Sequence, residues 1–243
     1  MIKAVFFDFG GVLTETCWDL NLITEAIRRG FRETGIELPK SFNDAFIERM
    51  EERWRAVLET KVEERLIDIL RNLLDELGIH YSAKALELAL DYVMDAPFCI
   101  IRRETRKVLD ELKKMGLKLG IISNSPIAFH KRVLEKSGLL HYFDDIIVSC
   151  EVSYRKPDKR IFNIALERLK VMPNEAVYVG DIPCIDVPGA KELGMVTILM
   201  KYGDPAVSRD YIEVQDDKEL CEADYIIENL EEIINIIKEI NET

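Results

Sequence analysis

Asp8 follows the apolar residues Val5, Phe6 and Phe7 and is itself followed by Phe9, Gly10 and Gly11. A chain that is burying itself has no structural use for a bare carboxylate there, so the position asks for a chemical reason. The same question recurs further along. Ser123, Asn124 and Ser125 close a second apolar stretch; Arg155, Lys156 and Pro157 lie in a loop after a third; Gly180 and Asp181 close a fourth, with Asp186 shortly beyond. If these places converge, three carboxylates meet one hydroxyl and one ammonium. At an effective dielectric of 20, like charges about 4 Å apart repel by roughly 4 kcal/mol per pair. Asp8, Asp181 and Asp186 therefore cannot stay ionised together without a cation, and Lys156 alone is too little. A hard divalent ion with oxygen ligands, Mg²⁺ above all, resolves the repulsion, because it takes one or two carboxylates together with water and phosphate oxygens.

The elements that must position these residues are legible from periodicity. Residues 2–7 are β-branched and aromatic with little alternation, as expected of a central parallel strand covered on both faces, which puts Asp8 at its carboxyl end. From about residue 18 to 95 the period changes. Leu20, Ile23, Ile27 and Phe31 mark one helix; Phe42, Phe46, Met50, Trp54 and Val57 a second; Leu66, Ile69, Leu70, Leu73 and Leu77 a third; Leu86, Leu90 and Val93 a fourth. After Pro97 helices and strands alternate, with strands expected near residues 119–122, 146–149, 176–179, 196–200 and 225–227 and a last helix near 230–240. This pattern implies an α/β fold: a parallel sheet with helices on both sides and an all-helical insert after the first strand. Parallel sheets place ligand sites outside the carboxyl ends of their strands, where every residue singled out above falls.

Composition narrows the field. The 243 residues suffice for one large domain, or one with a smaller domain inserted, and 48% apolar with 32% charged residues describes an ordered globular chain. A formal charge of -12, with no block of Lys and Arg to outweigh it, argues against nucleic acid, and any anionic substrate needs a pocket with its own positive charge. No run approaches the ~18 apolar residues of a membrane helix, and Lys3 and Asp8 interrupt the apolar start, so no membrane partner and a cytoplasmic location are expected. The scattered cysteines, Cys17, Cys99, Cys150, Cys184 and Cys221, form no CxxC pair and read as buried thiols. A single glutamine, Gln215, against many Glu and Lys is a bias associated with thermophiles, in which an intracellular disulfide is less improbable.

In their order and placement these stretches resemble the haloacid dehalogenase-like hydrolases, whose signatures are an Asp after the first strand, a Ser or Thr after the second, a Lys, and a late acidic pair. The resemblance implies a Rossmann-like core over residues 1–15 and 96–243 and a smaller all-helical cap domain over 16–95. It implies a Mg²⁺-dependent phosphatase acting on a small phosphorylated metabolite. Asp8 would be the nucleophile that takes up the phosphoryl group, and Lys156 its electrostatic partner. Gly11, Ser123, Asn124 and Lys156 would bind the phosphate, and Asp8, the carbonyl of Gly10, Asp181 and Asp186 the metal.

One position departs from the pattern. Most phosphatases of that family carry a second Asp two residues after the nucleophile, which protonates the leaving oxygen; here it is Gly10. General acid catalysis contributes about 10²- to 10⁴-fold, so its loss weighs most on poor leaving groups. Either substrates with good leaving groups are preferred or an acid comes from the cap, where Glu15 and Asp19 lie near in sequence; alternatively Gly10 and Gly11 simply make a tight turn. Two other readings remain: a 2-haloacid dehalogenase, which lacks the late acidic pair, and a binding or regulatory protein without activity. His130 reads as a surface or hydrogen-bonded residue, and Trp18 and Trp54 both as part of the cap's own core, with Trp18, close to Asp8, the better placed of the two to touch substrate.

Overall fold

A computed structural model describes residues 1–15, 19–97, 99–201 and 222–242. Six parallel strands form one sheet: β1 (Ala4–Phe7), β2 (Lys118–Ser123), β3 (Asp145–Val148), β4 (Ala176–Gly180), β5 (Val196–Met200) and β6 (Tyr225–Ile227), in the order β3-β2-β1-β4-β5-β6. The chain builds outward from β1 through β2 to β3, then returns to the other side of β1 for β4, β5 and β6. Strand order thus reverses beside β1, which is where a parallel sheet opens a crevice at its carboxyl edge.

β1 is wholly buried, and its side chains divide between two apolar layers. Val5 and Phe7 join one cluster with Leu119, Ile121, Val177 and Val179, whereas Ala4 and Phe6 join a second with Ile122, Ile147 and Tyr178. The period-2 alternation of a strand produces this division, and burial on both faces explains the unbroken apolar run. Each phenylalanine placed in such a layer contributes about 1.5–3 kcal/mol of transfer free energy.

The insert after β1 holds four helices and, among the described residues, no strand: α1 (Leu20–Arg32), α2 (Phe42–Thr60), α3 (Leu66–Glu76) and α4 (Ala83–Asp95). Asp19 caps α1, accepting from the N–H groups of Asn21 and Leu22 at 2.9 and 3.0 Å, and Ser82 caps α4 by accepting from Ala85 N–H at 3.2 Å. The two connections to the insert run side by side. Thr14 bridges Ile101 in antiparallel fashion, and Glu15 N–H donates to Ile100 C=O at 2.8 Å. The apolar faces of α1, α3 and α4 merge with the sheet layer containing Val5 and Phe7, so one continuous apolar cluster runs from sheet to insert.

After the insert come α5 (Thr105–Lys114), α6 (His130–Lys136), the short α7 (Ser149–Val152), α8 (Lys159–Leu169), α9 (Pro183–Leu193) and α10 (Glu232–Glu242). α9 has no clear apolar stripe in the sequence, and Pro188 lies inside it; Pro183 in its first turn starts it, and Ile185, Val187 and Ala190 are buried. α10 docks through Ile233 and Ile237, as its apolar face leads one to expect. No helix among the described residues is long and apolar enough to cross a membrane. The reading of every cysteine as a thiol is corrected: Cys99 and Cys184 are both in disulfides, and Cys150 is a free, half-buried thiol. Spacing carries no sign of this, because disulfide pairing depends on distances in the fold.

Candidate active site

Register brings the polar residues together. Phe7 is level with Ile121 on β2 and with Val179 on β4, so the next residue, Asp8, leaves the sheet between the ends of both neighbours. Its N–H donates to Val179 C=O at 2.8 Å, and its Oδ1 accepts from Phe9 N–H at 2.7 Å. The carboxylates of Asp8, Asp181 and Asp186 lie within 4.8 Å of one another, and all three residues are buried. Among the described residues this is the cluster whose donors suit a metal ion.

Lys156 lies between two of these acids. Its Nζ is 2.9 Å from Asp8 Oδ2 and 2.7 Å from Asp186 Oδ1, and it also donates to the Tyr178 hydroxyl at 2.7 Å. Burial pulls the ammonium pKa down, but the Asp186 and Asp8 carboxylates outweigh it and hold Lys156 above its ordinary value. Asp8 shows the converse: burial raises its carboxyl from 3.8 to about 6 against the pull of Lys156, with Asp186 adding to the rise. One ammonium therefore does not neutralise the site. A divalent cation fits this donor set, since it supplies the charge the protein lacks and accepts the hard oxygen ligands on offer.

Asp186 is more fully engaged than its neighbours. Oδ1 pairs with Lys156 and accepts from the Tyr178 hydroxyl at 2.9 Å, while Oδ2 accepts from the N–H groups of Asp181 and Ile182 at 3.0 and 2.9 Å. Burial and then the Asp186 charge hold the Tyr178 phenol well above its ordinary pKa, so it stays protonated and donates. Gly180 lies against this carboxylate, and a Cβ there would collide with the Asp186 side chain. The turn after β1 makes a second such demand. Gly11 adopts φ 73°, and a Cβ on it would strike the Asp181 carboxylate, so glycine is required twice over. Gly10, by contrast, has φ -69° and ψ 141°, open to any residue. The tight-turn explanation therefore covers Gly11 and not Gly10.

The Ser123 and Lys156 loops are joined through Asn124, whose Oδ1 accepts from Lys156 N–H at 2.8 Å and whose Nδ2 donates to Lys156 C=O at 3.0 Å. Behind Ser123 stands His130, 1% exposed, with Nε2 at 2.9 Å from Ser123 Oγ. Its ring stacks on Phe129 and meets the edge of Phe9. Burial, then the Lys156 charge, push the imidazole from 6.5 down to about 3, so it is neutral. Nδ1 is buried without a hydrogen-bond partner. A bare nitrogen there costs less than an N–H without an acceptor, which assigns the proton to Nε2. His130 then donates to Ser123 Oγ, and the serine hydrogen is free to point into the site.

The structure thus gathers Asp8, Lys156, Asp181 and Asp186, with Gly11 against Asp181, Asn124 bonded to Lys156 and Ser123 held from behind by His130. Gly10 lies in the same turn as Gly11. Tyr178 gave no sequence signal beyond an aromatic residue in a strand. Two expectations need correcting. Asp19 is exposed and committed to capping α1, not poised as an acid. Trp54 belongs less to the insert than to its contact with the sheet: it packs on Ile182 and Ile185 beside Asp181, its ring 5.9 Å from the Arg155 guanidinium carbon. Trp18 lies outside the described residues.

The fold and this cluster are those of a hydrolase built on an α/β sheet, and the chain belongs to the haloacid dehalogenase-like hydrolases, whose family description matches residues 2–194. It is 30% identical over 247 residues to a glyceraldehyde 3-phosphate phosphatase of Methanocaldococcus jannaschii, covering 98% of each chain. Among solved structures it resembles a 2-haloacid dehalogenase of Pseudomonas syringae, with a TM-score of 0.71, 25% identity and coverage of 98% and 99% of the two chains. It also resembles a phosphatase of the same family from Thermococcus onnurineus, with a TM-score of 0.57, 27% identity and 97% and 98% coverage.

Proposed function

We propose that the protein is a Mg²⁺-dependent phosphatase of small phosphorylated metabolites, with a nucleophilic aspartate. The observation that carries this reading is the buried trio of carboxylates within 4.8 Å, held against one lysine. Asp8 is the nucleophile. One of its oxygens bonds to phosphorus as the bond from phosphorus to the ester oxygen breaks, leaving an acyl phosphate on Asp8. Water then attacks that phosphorus, releasing inorganic phosphate and restoring the carboxylate. Lys156 steadies Asp8 and neutralises charge on the transferring oxygens. Ser123 donates its hydroxyl, oriented by His130, and the backbone of Asn124 and Gly11 completes the phosphate cradle. Mg²⁺ at Asp8, the Gly10 carbonyl, Asp181 and Asp186 would offset the negative charge of carboxylates and phosphate alike. The full engagement of both Asp186 oxygens supports contact through water at that residue.

Residues 16–95 act as a cap over a core made of residues 1–15 and 96–243, and the cap selects the substrate. The glyceraldehyde 3-phosphate phosphatase relatives support a short phosphorylated carbon chain. Gly10 supplies no acid, so better leaving groups are hydrolysed faster than alkyl phosphates of this kind, whose departing oxygen takes its proton from water or from the cap, and Gly10→Asp, which the backbone permits, should selectively speed hydrolysis of alkyl phosphates. The deciding experiment is a panel of phosphate monoesters with Mg²⁺ and with EDTA, using Asp8→Asn as the blank. Hydrolysis is expected only for the wild type with metal; turnover that survives in EDTA or in Asp8→Asn would sink the reading. The likeness to a 2-haloacid dehalogenase keeps one alternative in view, and release of halide from a 2-haloacid in the absence of metal would favour it.

A further inference from the structure

Glu63 lies between α2 and α3, and its side chain is 0% exposed although no step above uses it. Two guanidinium groups from distant parts of the chain meet it. Arg53 of α2 pairs with Oε1, and Arg155 Nη1 is 3.2 Å from Oε2; both arginine side chains are only 3% exposed. Ser149 Oγ donates to the same Oε2 at 2.7 Å. Desolvation offsets most of the attraction in such a buried group, so it is weak evidence for stability and better evidence for a specified geometry.

That geometry leads straight to the phosphate cradle. Ser149 Oγ, its own hydrogen given to Glu63, accepts the Ser125 N–H at 2.8 Å, and Ser125 ends the stretch that carries Ser123 and Asn124. Arg155 immediately precedes Lys156, which Asn124 clasps through both its N–H and its C=O. One carboxylate of the insert therefore reaches both loops that hold the phosphate-binding groups. The flanking backbone is seated on the same loops: Val62 bridges Tyr154 in antiparallel fashion, and Leu66 N–H, the first of α3, donates to Pro126 C=O at 2.8 Å.

We propose that Glu63 is a positioning residue which couples seating of the helical insert to assembly of the phosphate cradle. It touches no substrate atom and acts through Ser149 on the Ser123 loop and through Arg155 on the Lys156 loop. With the insert lifted, both loops lose their shared anchor. By linkage, a phosphoryl group that orders Ser123 and Lys156 favours the seated insert to the same extent. The kinetic part of this inference rests on the phosphatase reading; the structural part does not.

The test combines hydrogen exchange with steady-state kinetics on the full-length protein, comparing wild type, Glu63→Gln and Ser149→Ala. The last removes one hydroxyl and no charge, so it keeps the test usable should Glu63→Gln fold poorly. In Glu63→Gln, peptides covering residues 121–127 and 149–157 should exchange faster while β5 is unchanged, and kcat should fall about tenfold or more with KM within about threefold. In Ser149→Ala the loosening should be confined to residues 121–127, with a smaller fall in kcat. Unchanged protection of both loops, or loosening everywhere with kcat intact, would reduce Glu63 to ordinary packing and overturn the proposal. If the wild type hydrolyses no phosphate ester, the phosphatase reading falls and the exchange pattern alone decides this one.

Discussion

Two buried ionic clusters lie within a few residues of each other in this protein, and they are built on opposite principles. Asp8, Asp181 and Asp186 around Lys156 carry a surplus of negative charge and come from the ends of β1 and β4, the first turn of α9 and the loop before α8. Arg53 and Arg155 around Glu63 pair charges of opposite sign and join the helical insert to the sheet's loops. The first sets three buried carboxylates against one ammonium, and burial raises the Asp8 carboxyl to about 6 against the pull of Lys156. In the second, the insert itself provides the carboxylate that two core and insert cations need. A buried charge left over marks a place for chemistry, whereas one matched from elsewhere in the chain marks a joint.

The contrast breaks most visibly at the nucleophile. Asp8→Asn should lower phosphate release in single-turnover assays by about 10⁴-fold or more, because no other group can take its place. Conservative exchange in the second cluster should never approach that size. Its cost should instead appear in folding: Glu63→Ala leaves two buried guanidinium groups facing each other and should destabilise the protein by roughly 3–5 kcal/mol in urea unfolding. Near-equal stability of that variant and wild type would mean that water reaches both arginines.

The pH dependence of the metal-free protein separates the clusters further. Asp8 has a folded pKa of about 6 against an ordinary 3.8, so its contribution to stability is complete below pH 3.8 and is lost as pH rises through 6. Asp8→Asn should therefore be more stable than wild type above pH 6 in EDTA, by up to roughly 3 kcal/mol, and Mg²⁺ should erase the difference. Thermal melts with and without metal check this. His130 slopes the other way. Its folded pKa of about 3 lies below the ordinary 6.5, so its contribution is complete above pH 6.5 and is lost as pH falls towards 3. His130→Gln should flatten that acid limb. The same substitution should lower kcat by up to about tenfold, the net worth of one neutral hydrogen bond to Ser123.

Much of the fold was legible because its signals are local. The uninterrupted apolar run before Asp8 reads as a doubly covered strand, and Ile23, Ile27 and Phe31 read as one helical face, whatever lies across from them. α9 was not legible, since a helix buried around Ile185, Val187 and Ala190 has no polar stripe to betray its period. In the candidate site, Asp8 and Asp181 stood out because a strand end is a recognisable place for an unexpected charge, and Lys156 and Asp186 because they follow the ends of β3 and β4. Tyr178 did not, because an aromatic residue in a strand is ordinary until its hydroxyl is found between Lys156 and Asp186.

The order of strands, the helical insert after the first strand and the family were thus determined by the chain's own text, which records periodicity and the residue type at each strand end. Other matters were decided only by three-dimensional closure. These are the need for glycine at Gly11 but not at Gly10, the oxidation of Cys99 and Cys184, and the service of Glu63 to loops many residues away. The physical reason is common to all three. A backbone angle, a sulfur–sulfur contact or a buried ion pair depends on which atoms arrive opposite it, and a sequence lists residues without saying what they face.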